Sequence, residues 1–150
     1  MTCNDLVKEP LNQLLTDHHY QGPDIELNFE KLNGYMKGFI DLVFEHDGRY
    51  YVADYKSNFL GSDNSAYQYE HCEQAMFDHQ YHLQLLIYSL ALHRYLKQHL
   101  NDYSYIDHFG GGYYLFIRGM SSGDPQPNGI YFHRPEAAVI DQLEGLFGHG

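Results

Sequence analysis

Cysteine is nearly absent from this 150-residue chain: only Cys3 and Cys72 occur, far apart and outside any CxxC pair. Two thiols cannot supply a disulfide framework, a zinc site or the four ligands of an iron–sulfur cluster, and a reducing cytoplasm is the expected location. No apolar run approaches the roughly 18 residues of a membrane helix, and the start MTCNDLVKEP lacks the basic-then-apolar pattern of a signal peptide, so no membrane partner is expected. Positive charge is scarce as well, with 9 Lys and Arg against 20 Asp and Glu, for a formal net charge of -11. Nonspecific capture of a polyanion by long-range attraction needs clustered Lys and Arg, and that mode is excluded. No GxxxxGK[ST] phosphate loop occurs, which removes ATP hydrolysis and a nucleotide site from the expectations.

What is present is a core-forming composition, 43% hydrophobic with 15 Tyr and 9 Phe, and a length that suits one domain over residues 1–150. Residues 4–19 read as a helix, with Leu6, Val7, Leu11, Leu14 and Leu15 on one side and Pro10 predicting a late start or a kink. Ile25, Leu27 and Phe29 alternate with polar residues, which predicts a first strand. Residues 36–45 and 50–57 predict two more, joined by a type I′ turn at Asp47-Gly48. Residues 66–99 are helix-compatible, as two helices or one bent helix. The apolar run from Leu83 to Leu92 places that part against the sheet. Tyr113–Ile117 and Ile130–Phe132 read as strands around a loop, and Pro135 marks the first turn of a last helix. The predicted class is α/β, a central mixed sheet flanked by helices in the order αβββαββα.

Counting outward from the turn pairs His46 with Arg49 and sets Asp41 opposite Asp54. Opposed carboxylates are destabilising unless a cation lies between them, and Mg²⁺, with Mn²⁺ as the alternative, prefers such oxygens. Lys56 lies two residues beyond Asp54 and shares its face. Two carboxylates that hold a divalent metal and a neighbouring lysine are the parts needed to activate water against a phosphodiester. The apolar neighbours of these charges place the hairpin at the centre of the sheet. An ordinary solvated hairpin face with a weak ion pair is the competing reading.

The wording of these segments, GFIDL at 38–42 and ADYKSN at 53–58, resembles the RecB-type nucleases of the PD-(D/E)XK superfamily. Tyr81–Tyr88 (YHLQLLIY) is similar to their QxxxY motif, and GGGYYLFIRG at 110–119 to the end of their domain; the resemblance spans residues 24–148. It implies that Asp41, Asp54 and the backbone carbonyl of Tyr55 bind the metal. Lys56 would position the attacking water or help deprotonate it. Gln84 and Tyr88, one helical turn apart, would support the site or the DNA. It also implies DNA as substrate, a helicase–nuclease that processes double-strand breaks, RecC-like and RecD-like partner subunits, and a recombinase contact. The family also uses a metal-binding His on an upstream helix, and this chain starts about forty residues before Asp41. The expectation is therefore an N-terminally truncated piece with low or no activity by itself. His18, His19, His79 and His82 read as solvated helix positions rather than ligands. A docking or regulatory module, intact but inactive, is the alternative.

Overall fold

A computed structural model describes residues 5–22, 27–120 and 128–148 of the chain, the side chains of Asp5, Leu6 and Phe29 excepted. Helix α1 spans Asp5–Asp17 and runs unbroken through Pro10, which costs it an intrahelical bond without ending it. Val7, Leu11, Leu14 and Leu15 are buried on one face, as their spacing predicts. Among the described residues the predicted first strand is not observed. Residues 23–26, Ile25 included, lie outside the described residues, and Phe29–Lys37 forms helix α2. The reason is local: the Asn28 side chain accepts the Lys31 N–H at 3.1 Å and caps the helix. Leu32, Tyr35 and Met36 then meet the core at helical spacing.

Strand β1 covers Leu42–His46 and β2 covers Arg49–Lys56, so Met36 and Lys37 belong to α2 rather than to a strand. The hairpin register matches the predicted one from His46↔Arg49 to Leu42↔Ala53. Its turn uses Asp47 at φ 51° and Gly48 at φ 79°, the pair of positive values a type I′ turn requires. Helices α3 (Tyr69–Asp78) and α4 (Tyr81–His99) resolve the long helical stretch into two, separated where Gln80 turns left-handed. A short helix α5, Tyr105–His108, leads into β3 at Phe109–Phe116. Strand β4 is Ile130–His133 and α6 is Ala137–Phe147. Pro135 therefore lies ahead of the last helix rather than in its first turn. The order is ααββαααββα.

The sheet order is β1-β2-β3-β4, with β2 and β3 parallel and both outer pairs antiparallel. Only half of the hairpin is central: β1 is the edge, with Leu42 and Val43 exposed, whereas β2 buries Val52, Ala53 and Asp54. Helices α3 and α4 cover one face, and α1, α2 and α6 pack behind them. The Gly110–Gly112 triplet is part of β3, and a Cβ on Gly112 would fall 3.1 Å from Val52 and 3.3 Å from Leu85. Glycine there lets α4 lie close on the sheet. The opposite face carries a row of aromatic rings, Phe44, Tyr51, Tyr113 and Phe132, with centroids 4.7–6.4 Å apart.

Candidate active site

The C-terminal half of β2 carries Asp54 and Lys56 on the helix-covered face, because Asp54 pairs with the buried Tyr114 and Lys56 with the buried Phe116. Asp41 lies in a bend just before β1, one step beyond the last observed pair of the hairpin. Its Oδ2 accepts the Tyr55 N–H at 3.0 Å, which holds the carboxylate beside Asp54. The two acids thus meet although Asp41 is not in a strand. Asp41 is exposed and Asp54 is only 5% exposed.

Burial pushes the Asp54 carboxyl above the ordinary range. The Lys56 ammonium, donating to Asp54 Oδ2 at 2.7 Å, opposes that shift, and the charge and hydrogen bond of Asp41 reinforce it. Lys56 is enclosed on its other sides: its Nζ lies 4.1 Å from the centroid of the Tyr81 ring and 5.5 Å from that of Tyr114. Such contacts hold an ammonium over an aromatic face while leaving its remaining N–H donors free. Tyr81 is itself fixed by donating to Asn58 Oδ1 at 3.1 Å and by stacking on His79.

Gln84 lies one layer further in. Its Oε1 accepts from Tyr114 Oη at 2.8 Å and its Nε2 donates to Tyr88 Oη at 3.3 Å, so this buried amide is satisfied by two tyrosines. Tyr88 reaches across to Gly38, where a Cβ would fall 2.9 Å from its hydroxyl. Burial pushes the Tyr35, Tyr88 and Tyr114 hydroxyls up, and the Asp54 charge adds to each shift. They stay neutral hydrogen-bonding groups. Lys31 of α2 donates to the His79 carbonyl at 2.7 Å; burial lowers its pKa, and the positive charge of Lys56 lowers it further.

A family model described as the PD-(D/E)XK nuclease superfamily matches residues 4–144. This chain belongs to that superfamily. Among its relatives is the RecBCD enzyme subunit RecB of Escherichia coli K12, 52% identical over 121 residues, which covers 81% of this chain and 10% of that protein. The subunit of the same name from Haemophilus influenzae is 47% identical over 93% of this chain and 11% of its own length. A third, from Mycobacterium tuberculosis H37Rv, is 38% identical over 83% of this chain and 12% of its length. The chain spans about a tenth of the curated relatives it matches.

PD-(D/E)XK nucleases generally use divalent metal ions, and the donor set here fits one. Two carboxylates meet, and the pKa of the buried one is raised by burial first and by its neighbour's charge besides, both of which a cation would oppose. Among the described residues no group of three or more His, Cys, Asp and Glu could form a cage around an ion. One or two carboxylates, with the rest of the shell left to carbonyl, water and phosphate oxygens, suit a hard divalent cation.

Of the histidines, His18 meets Gln142 of α6 at 3.3 Å, and His19 takes a left-handed conformation just after α1. His82 departs from its predicted solvated position. It is 3% exposed and packs against Tyr20, Phe77, Tyr131 and His133, because α3 and β4 close over that face of α4. The structure adds Tyr81, Tyr114, Tyr35 and Lys31 to the residues the sequence singles out. Tyr81 precedes Gln84 by three residues, a spacing that puts both on one helix face and was available as a signal. Tyr114 had none, since its place beside Asp54 depends on the register between β2 and β3.

Proposed function

We propose that this chain is one nuclease domain that hydrolyses DNA phosphodiester bonds with Mg²⁺, or Mn²⁺ in its place, and works within a RecBCD-like helicase–nuclease in double-strand break repair. The observation that carries the reading is the convergence of Asp41, Asp54 and Lys56 at the end of β2. Asp41, Asp54 and the Tyr55 carbonyl would hold the cation, which would supply positive charge against the scissile phosphate and acidify water. Lys56 is the proton-handling and charge-stabilising group. Its ammonium, anchored on Asp54 and walled by Tyr81, has donors left to orient a water for in-line attack and to neutralise charge building on the phosphoryl oxygens. Gln84 and Tyr88 position this arrangement through Tyr114 and Gly38.

The partners that follow are DNA, RecC-like and RecD-like subunits and a recombinase, in the cytoplasm; no described helix is long and apolar enough to cross a membrane. A motor that delivers DNA also makes sense of a net charge of -11, because the domain need not capture its substrate by attraction. The aromatic row on the far face of the sheet, half-buried from Phe44 to Tyr113 and exposed at Phe132, favours a second reading, a docking module without catalysis. Cleavage of an end-labelled DNA strand in Mg²⁺ or Mn²⁺, assayed in the full-length subunit, separates the two. The nuclease reading expects Lys56→Ala to lower the rate by about 100-fold or more. Equal cleavage by the variant and the parent protein would contradict it.

A further inference from the structure

Two phenylalanines flank the site without packing into it. Phe39, two residues before Asp41, is 88% exposed, and Phe59, three residues after Lys56, is 65% exposed. Among the described large apolar residues only Ile106, at 68%, is comparable. An isolated exposed apolar side chain is ordinary. What distinguishes these two is that their neighbours are tied down.

Gly38 donates to the Tyr35 carbonyl at 3.2 Å and lies under the Tyr88 hydroxyl, Ile40 packs against the cluster of Val52, Leu92, Leu96 and Phe109, and Asp41 is bonded to Tyr55. Around Phe59, Arg118 donates to the Ser57 carbonyl at 2.6 Å, Tyr81 to Asn58 at 3.1 Å, and the Leu60 N–H to Tyr67 Oη at 3.1 Å. Leu60 itself packs on the core. Both rings are therefore held outward on backbone fixed at either neighbour, and neither can sink without breaking those bonds. Chain geometry keeps the Phe39 Cα within about 7 Å of the Asp41 Cα, and the Phe59 Cα within about 11 Å of that of Lys56.

An exposed aromatic ring on an anchored backbone beside a phosphodiester centre is suited to stack a nucleobase, and only an unpaired base offers both its faces. The acidic chain supplies little phosphate attraction, which leaves stacking as the source of affinity. We propose that Phe39 and Phe59 are base-stacking posts that seat single-stranded DNA across the Asp41, Asp54 and Lys56 centre. This rests on the nuclease reading and adds the groups that select an unpaired strand.

The experiment is fluorescence anisotropy of a labelled oligo-dT, and of an abasic oligomer of equal length, in Mg²⁺ with a Lys56→Ala background to slow cleavage. The expected result is dT bound at least tenfold more tightly than the abasic chain. Phe39→Ala and Phe59→Ala should each weaken dT binding by about tenfold, and Phe59→Trp should retain it. Equal affinity for the two oligomers, no binding of dT, or parental affinity in the Phe39→Ala/Phe59→Ala double variant overturns the proposal. Both rings are exposed, so these variants keep the fold, which circular dichroism checks. Cleavage by the wild-type chain with no effect of the two phenylalanines on binding would remove the stacking posts and leave the nuclease. Phenylalanine-dependent binding with no cleavage even by the full-length subunit would do the reverse.

Discussion

At the scale of single residues, the proposed chemistry turns on how Lys56 is held. Its ammonium has an anion on one side and the Tyr81 ring face on another, so the ring restricts it without using a donor. Tyr81→Leu should therefore reduce cleavage by about tenfold with Mn²⁺ affinity unchanged, whereas Tyr81→Phe, which keeps the ring and loses only the Asn58 bond, should stay near wild type. Equal losses in both would show that the hydroxyl, not the ring, matters. The Asp54–Lys56 pair also carries a stability cost. Because burial raises the Asp54 pKa despite Lys56, the folded state holds its proton more readily than the unfolded chain, and keeping the carboxylate charged costs stability as pH rises past that point. Replacing both partners, Asp54→Asn with Lys56→Met, should raise the melting temperature at neutral pH by a few degrees while eliminating cleavage. A lower melting temperature would mean the pair stabilises the fold. Asp41, Asp54 and Lys56 were legible in the sequence because a two-residue turn fixes the hairpin register. The rings around Lys56, Tyr81 and Tyr114, come from two other elements, α4 and β3, which local pattern does not relate.

At the scale of elements, the sequence was read correctly where local chemistry decides, as in the Asp47-Gly48 turn and the apolar face of α4. It misled at α2, where the alternation of Leu27 and Phe29 imitates a strand and only the cap at Asn28 reveals the helix. His82 differs from its expected position for a different reason: its burial depends on α3, β4 and Tyr20, just beyond α1, closing over α4. There its Nε2 meets Tyr131 Oη at 2.8 Å, while among the described residues its Nδ1 has no partner. Burial, with help from the charge of His133, lowers its pKa to about 4. The unfolded chain binds that proton near pH 6.5, so this contribution to stability is complete above pH 6.5 and falls away as pH drops toward 4. About 1.4 kcal/mol per pH unit makes the loss about 3 kcal/mol. Denaturant unfolding across this window should show the slope in the wild-type protein and a flatter one in His82→Leu. Identical slopes would mean that His82 binds its proton equally well in the folded and unfolded states.

At the scale of the molecule, the sheet divides its labour. One face, under α3 and α4, holds the acids and the lysine, and the other carries the aromatic row from Phe44 to Phe132. The fold class was legible from the hairpin, the long helices and the late strands, although the number and order of helices were not. Net charge alone pointed away from DNA, and only the placement of two acids against each other turned that charge into a metal-binding argument. The measurement that tests this account most directly is a calorimetric Mn²⁺ titration of the wild-type chain beside Asp41→Ala and Asp54→Ala. The account predicts one Mn²⁺ bound per chain, with affinity falling as pH drops toward the raised Asp54 pKa, and no binding in either variant. Mn²⁺ binding that persists unchanged in both variants, or none in the wild-type chain, would contradict it.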